Sequence, residues 1–142
     1  MNEDIYGIKK WGNDILEILE NGNIGLKNPF QTQNPPTDLI KIIKSLNERG
    51  ISCPVLLRVT DYLAFRIKQI NSSFFEAIKE TGYKGDYKGV FPVKVNQQAQ
   101  VIDRIVEFGK EFDFGLEVGS KPELLIALAH DLSTNSTIIC NG

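Results

Sequence analysis

Short apolar groups alternate with polar residues and glycines over the first thirty positions of the chain. Ile15–Glu20 and Ile24–Leu26 flank the dipeptide Asn21-Gly22, which is a strong hairpin signal. We therefore predict two short strands around this turn. Phe30–Thr37 contains Asn34-Pro35-Pro36 and is typical of a linker, because proline lacks an amide donor and interrupts both helices and central strands.

After the linker, apolar residues recur at helical spacing in four segments, each with a capping or glycine signal at one end. The last of these opens with Ser120-Lys121-Pro122-Glu123, a capping box in which Ser120 is the N-cap. The predicted helices are Asp38–Arg49 before Gly50, Asp61–Thr81 with Thr60 as N-cap and Gly82 as stop, Ala99–Phe108 before Gly109, and the capping-box helix through Leu132.

Four apolar runs lie between these helices. They are Val55–Val59, Gly89–Val95, Phe112–Val118 and Thr137–Cys140. Each run is continuously apolar rather than alternating, as in strands that are buried on both faces. The order βαβαβαβ therefore predicts an α/β fold with a parallel sheet and helices packed outside it.

Composition narrows the class of protein further. The chain has 142 residues, 42% of them hydrophobic, and 16 basic against 18 acidic side chains. This balance excludes the broad positive field of a nucleic-acid-binding protein. No apolar run is long enough to span a bilayer, and the acidic N-terminus lacks the features of a signal peptide, so we expect a cytoplasmic protein that is not membrane-bound.

Lys94 is the most informative residue. It lies in Val90-Phe91-Pro92-Val93-Lys94-Val95-Asn96, near the end of a predicted apolar strand where βα barrels carry their chemistry. A desolvated amine at such a place can form a Schiff base with a carbonyl, as in pyridoxal phosphate enzymes. Equally, Lys94 can extend from a strand end into solvent, and the spacing alone does not choose between these two interpretations.

Three motifs carry a resemblance to a known family. The segment Gly89-Val90-Phe91-Pro92-Val93-Lys94-Val95-Asn96-Gln97-Gln98 resembles the cofactor-lysine segment of the biosynthetic arginine decarboxylases. The segments Phe114–Leu124 and Ile138–Gly142 are similar to the third-strand and fourth-strand signatures of that family, and Tyr6-Gly7…Trp11-Gly12 to its opening strand. The resemblance therefore covers nearly the whole chain.

The resemblance implies a fold and an activity. It implies an alanine-racemase-like (β/α)8 TIM-like barrel, of which this chain holds the first half, preceded by short N-terminal strands of a β domain. The implied reaction is the conversion of L-arginine to agmatine and CO2 in polyamine (putrescine and spermidine) biosynthesis. Lys94 matches the catalytic lysine that holds pyridoxal phosphate as a Schiff base.

Further positions are candidates on the same basis. Glu117 matches the place where related decarboxylases put an acidic residue beside the cofactor, although a solvated loop carboxylate is the alternative. Asn96 and Asn141 end strands and could line the pocket mouth, or have ordinary turn roles. We take Lys94, Glu117 and Asn141 as the cofactor-binding residues.

Other reactive side chains are expected to be structural. Ser120 is interpreted as a helix cap, and His130 as a helix-end residue. Cys53 and Cys140 are expected to pack, and Trp11 to anchor the N-terminal strands. In related enzymes, the imidazole that stacks on the cofactor ring and the catalytic cysteine come from later regions of the sequence.

Two other classes remain open at this point. One is another pyridoxal phosphate barrel enzyme, such as a diaminopimelate decarboxylase, an ornithine decarboxylase or a racemase. The other is a non-catalytic α/β binding module that has kept the motif. The sequence around Lys94 and Glu117 favours arginine as the substrate, but no substrate-contacting residue is identifiable.

Length changes the expected domain organisation. A closed barrel needs about 250 residues, so we expect residues 1–34 to be an N-terminal strand segment and 35–142 a barrel truncated after its fourth strand. Such an N-terminal fragment is expected to be inactive alone, and the full-length enzyme to be a homo-oligomer. Mg2+ is implied by family resemblance only, and no carboxylate cluster in the sequence indicates a metal site.

Overall fold

The structure is a computed structural model that describes residues 5–142. The chain divides into two compact units, residues 1–61 and residues 62–142. The first is a small antiparallel sheet with two helices, and the second is a parallel βα unit. The predicted α/β class is therefore present, although the boundary predicted after residue 34 stays a prediction.

The first unit begins with a single helical turn rather than a strand. Its elements are α1 (Ile8–Trp11), β1 (Leu16–Ile18), β2 (Ile24–Leu26), β3 (Thr37–Asp38) and α2 (Leu39–Glu48). The strands form an antiparallel sheet in the order β1-β2-β3, and Gly22 supplies the positive φ of 82° in the predicted hairpin turn. The predicted hairpin is confirmed, whereas the opening strand expected around Tyr6–Gly12 is wrong.

Trp11 does not anchor the sheet as we expected. Its side chain is 58% exposed, and its indole N–H donates to the backbone oxygen of Tyr6 at 2.8 Å. Local hydrogen bonding across one helical turn therefore holds the ring at the surface, where a sequence pattern does not distinguish it from a core aromatic residue.

Asp38 joins the hairpin to α2. Its Oδ1 accepts from the backbone amides of Ile40 at 2.9 Å and Lys41 at 3.3 Å, as an N-cap does. Its Oδ2 accepts from the side-chain amides of Asn23 at 2.9 Å and Asn21 at 3.2 Å. These bonds, the one from Asn23 foremost, hold the pKa of the buried Asp38 carboxyl below its usual value.

The second unit consists of three strands and three helices. They are α3 (Thr60–Thr81, which begins two residues before the boundary), β4 (Val90–Pro92), α4 (Ala99–Gly109), β5 (Gly115–Val118), α5 (Lys121–Leu128) and β6 (Ile138–Cys140). The strands are parallel in the order β4-β5-β6, with Phe91 opposite Leu116 and Leu116 opposite Ile138. The central strand β5 is therefore paired on both sides.

The core of this unit lies between the sheet and its helices. Leu116 and Val118 of β5 are buried against Ile102 and Ile105 of α4 and against Ala127 of α5. Side chains alternate across a strand, so Glu117, between those two core residues, points to the opposite face of the sheet. The hydrophobic pattern thus fixes which face of β5 carries the carboxylate.

Val55–Val59 is not a strand. The segment has no regular secondary structure, it pairs with no strand among the described residues, and Leu56 is largely exposed. A strand requires an available sheet edge as well as an apolar run, and the run alone does not show whether an edge is present. One of the four predicted parallel strands is therefore absent.

Several predicted boundaries also shift. α3 starts at Thr60, so this residue opens the helix rather than capping it, and α4 includes Gly109. α5 ends at Leu128 instead of Leu132. The run predicted as a strand over Phe112–Val118 starts with a 3-10 turn (Lys110–Phe112), and β5 begins only at Gly115. Strand ends depend on where neighbouring backbones pair, which periodicity does not specify.

Substitution of Asp38 should reveal its two roles separately. Asp38→Asn keeps an Oδ1 cap acceptor but presents an amide to Asn21 and Asn23, whereas Asp38→Ala loses all four bonds. We expect the free energy of unfolding at pH 7 to fall in the order wild type, Asp38→Asn, Asp38→Ala, as measured by denaturant titration.

The pH dependence of the same series follows from the lowered pKa of Asp38. Stability from a depressed carboxyl pKa is fully present above the unfolded value of about 3.9 and is lost as pH falls through the lower folded value. The difference between wild type and Asp38→Ala should therefore be constant from pH 7 to about pH 5 and shrink below pH 4. A difference that grows on acidification would contradict the assignment.

Candidate functional site at the carboxyl edge of the parallel sheet

Lys94 lies just beyond a strand instead of inside it. β4 ends at Pro92, and Val93–Val95 form a 3-10 turn in which Val93 is fully buried. Pro92 ends a strand at the edge of the sheet, a position where its missing amide costs little. Buried Val93 anchors this turn, and the Lys94 side chain is 63% exposed at the carboxyl edge, the side where all three parallel strands end.

Glu117 faces Lys94 from the central strand. In the register of β4 and β5, Glu117 lies opposite Pro92, the residue before the 3-10 turn that carries Lys94. Its side chain is 21% exposed. Its Oε1 is 4.0 Å from Lys94 Nζ, which makes an ion pair at the limit of direct contact. Glu117 is therefore a half-buried strand carboxylate and not the solvated loop residue that was its alternative.

Asn141 completes the group from the third strand. It directly follows β6, and its Nδ2 donates to Glu117 Oε1 at 2.8 Å. The three residues predicted from sequence as the site are thus brought together, one from the end of each parallel strand. Asn96, in contrast, has a turn role, since its Oδ1 accepts from the backbone amide of Gln98 at 3.1 Å.

The turn between β5 and α5 is fixed by the predicted capping box. Ser120 Oγ accepts from the Glu123 amide at 3.4 Å and donates to Glu123 Oε1 at 3.0 Å. Glu123 Oε2 also accepts from the backbone amide of Gly119 at 2.8 Å. The capping-box motif identified the helix start, but the second bond of Glu123, which holds the residue after β5, carries no sequence signal of its own.

The other reactive side chains, His130 and the two cysteines, are not part of this group. His130 Nδ1 donates to the backbone oxygen of Ile126 at 2.7 Å, and Nε2 lies 3.0 Å from Asp103 Oδ1, in agreement with a structural role. Cys53 and Cys140 are both free and exposed, so the expectation that they pack is wrong. Cys140 is the last residue of β6, an edge strand of the parallel sheet.

Among residues 5–142 there is neither a group of metal-ligating side chains nor a membrane-spanning helix. No three or more His, Cys, Asp or Glu side chains in this range group as metal ligands would. Within the same range, none of the helices combines the length and apolar character that crossing a bilayer requires.

The residues at the carboxyl edge fit a cofactor that attaches to an amine. Lys94 offers an accessible primary amine, and Glu117 a carboxylate beside it, both on the side of the sheet where βα enzymes build their sites. The fold and site define an α/β protein with a lysine-centred site at the carboxyl ends of parallel strands. Residues 67–142 match the family described as "Pyridoxal-dependent decarboxylase, pyridoxal binding domain", and the chain belongs to this family.

Relatives with known names are similar over nearly the whole chain. Biosynthetic arginine decarboxylases from Gloeobacter violaceus and Prochlorococcus marinus (strain MIT 9312) are 46% and 48% identical over 98% and 96% of this chain. A crystal structure of the biosynthetic arginine decarboxylase from Campylobacter jejuni covers 96% of the chain with a TM-score of 0.83 and 36% identity. The predicted family and fold class are thereby confirmed.

These relatives are much longer than the chain. The chain spans 21% of the length of the two curated relatives and 22% of the crystallised protein.

Removal of the Ser120 hydroxyl should destabilise the turn behind the site. Ser120→Ala loses the N-cap bond and the bond to Glu123 Oε1, and N-cap losses cost about 1 kcal/mol. We expect a decrease of that size in the free energy of unfolding, measured by denaturant titration. Ser73→Ala is the matched control, because the hydroxyl of exposed Ser73 donates to Gln69 O within α3 and its loss should change stability by less than about 0.5 kcal/mol. Equal effects of the two substitutions would contradict a capping role for Ser120.

Proposed function

We propose that this chain is the N-terminal part of a biosynthetic arginine decarboxylase, which converts L-arginine to agmatine and CO2 with pyridoxal phosphate. The observation that carries the proposal is the meeting of Lys94, Glu117 and Asn141 at one sheet edge in a pyridoxal-binding domain. Arginine is favoured as substrate because relatives named for that activity are 44–48% identical over 96–99% of the chain.

Lys94 is the residue that would hold the cofactor covalently. Its amine is exposed, while the neighbouring Val93 is fully buried and fixes the turn from which the side chain extends. When bound, pyridoxal phosphate supplies the electron sink for the pair left on the substrate α-carbon as CO2 departs, after which that carbon takes up a proton. The contribution of the chain is to place the amine at the edge of the sheet.

Glu117 and Asn141 are proposed to belong to the cofactor site beside Lys94, Glu117 next to the amine and Asn141 through its bond to Glu117. Glu117 Oε1 lies 4.0 Å from Nζ, beyond hydrogen-bond distance, so a proton would pass between the two through one bridging water or after a small side-chain movement. Asn141 donates to that same oxygen and so belongs to the same site. The pairing keeps a carboxyl group next to the amine that would attach the cofactor.

The location, pathway, oligomeric state and domain division of the enzyme are proposed from the family resemblance. We propose a cytoplasmic enzyme of polyamine synthesis that is a homo-oligomer at full length. Residues 1–34 would be a strand segment of a β domain, and residues 35–142 the first part of the barrel. The antiparallel pairing of β1 with β2 and the parallel pairing of β4, β5 and β6 support two different parts of the chain, although β3 (Thr37–Asp38) pairs with β2 and extends the antiparallel sheet beyond residue 34.

Substitution of Lys94 tests the covalent role. In the full-length enzyme that carries this chain, Lys94→Ala should lose the visible absorbance of bound pyridoxal phosphate and lower arginine turnover by about 10³-fold or more, since the attachment point is gone. Lys110→Ala is the matched control, because Lys110 is a half-exposed lysine of the same unit paired with Asp131. Retention of both cofactor and turnover in Lys94→Ala would contradict the assignment.

Substrate choice separates the proposal from the other barrel enzymes. The wild-type enzyme should release CO2 from L-arginine with a higher kcat/KM than from ornithine or diaminopimelate, measured with each amino acid under the same conditions. Preference for either of these would indicate a related decarboxylase. Racemisation without CO2 release would indicate a racemase, and cofactor binding without turnover would indicate the non-catalytic module.

A further inference from the structure

One oxygen of Glu117 is shared between two neighbours. Asn141 Nδ2 donates to Oε1 at 2.8 Å, a well-formed hydrogen bond, and Lys94 Nζ lies 4.0 Å from the same atom. The amide therefore fixes the atom that faces the amine. Without this bond, the carboxylate could rotate about its terminal torsion, which is broad in glutamate.

Asn141 is itself held in place by the strand beside it. Its backbone amide donates to Val118 O at 2.8 Å, which continues the pairing of β5 with β6 by one residue. The next residue, Gly142, packs directly on Gly119, since a methyl group there would lie 2.4 Å from the Gly119 backbone oxygen. Gly119 is in turn bound by the buried Glu123 carboxylate at 2.8 Å.

A neutral donor suits this position chemically. A lysine or arginine at position 141 would form its own ion pair with Glu117 and compete with Lys94 for the charge. An amide orients the carboxylate by a directional hydrogen bond and leaves its negative charge directed at the amine.

We propose that Asn141 is a positioning residue, whose side-chain amide holds the Glu117 carboxylate in the orientation that moves protons to and from Lys94 Nζ. This inference rests on the proposed function and refines it. A contact of Asn141 with the cofactor alone would affect cofactor affinity, whereas positioning of Glu117 affects turnover and acts only while Glu117 is present.

A double-mutant cycle in the full-length enzyme distinguishes these roles. Asn141→Leu should lower kcat for arginine by about 10- to 100-fold, the effect of misplacing a reacting group, while KM and bound pyridoxal phosphate change by less than about twofold. Asn141→Asp, which sets a carboxylate against Glu117, should lower kcat further. In a Glu117→Leu background, Asn141→Leu should have almost no additional effect.

Gly142→Ala provides a second route to the same geometry that leaves the amide intact. The added methyl cannot fit against Gly119 O, so the segment moves and Asn141 with it. We expect a loss of kcat that is likewise absent in the Glu117→Leu background. If Asn141→Leu fails to fold, as judged by circular dichroism and melting temperature, this variant carries the test. Asn47→Leu, at an exposed amide of α2, is the control and should keep wild-type kcat.

Each outcome decides the inference. Independent, multiplicative losses for residues 117 and 141, or wild-type kcat in Asn141→Leu, would overturn it. Loss of cofactor from Asn141→Leu with wild-type kcat restored by added pyridoxal phosphate would instead show a cofactor contact. A wild-type enzyme that neither retains pyridoxal phosphate nor decarboxylates arginine would overturn the proposed function itself.

Discussion

The pairing of β5 with a parallel strand on each side is the constraint on which the rest of the second unit depends. It brings the ends of β4, β5 and β6 to one edge although they are far apart in sequence. The backbones of Gly115 and Thr137 lie so close together that a methyl group at Gly115 would be 1.9 Å from the Thr137 backbone oxygen. The pairing of β5 with β6 therefore depends on the absence of a side chain at Gly115. Lys94, Glu117 and Asn141 meet because their strands end together, and no local sequence preference could bring them there.

The two ends of this sheet have different chemistry. At the amino end, Ser133 donates to Asp113 and Lys88 approaches the same carboxylate, so the hydroxyl first and then the cation hold the Asp113 pKa below its usual value. These contacts connect the segments that enter the three strands. At the carboxyl end, Lys94 remains largely exposed. The division is typical of βα folds, in which one end stabilises and the other carries function.

Sequence reasoning was most accurate where the signal is local. The hairpin turn at Gly22, the Ser120–Glu123 capping box and the helical periodicity of α4 all appear as predicted, because each depends on contacts within a few residues. It was least accurate where pairing decides the outcome. Val55–Val59 has strand composition without a partner, and Lys94 lies in a turn after β4 because Pro92 ends the ladder.

The sequence by itself determined the α/β class and the family resemblance, from which the three site residues were predicted, since composition, spacing and motif are properties of the chain alone. Only the tertiary structure decided that Asn141 donates to Glu117 and that the bonded oxygen is the one facing Lys94. It also decided that Glu123 holds Gly119. Hydrogen bonds between side chains on separate strands depend on register and approach to within tenths of an ångström, which hydrophobic patterning does not encode.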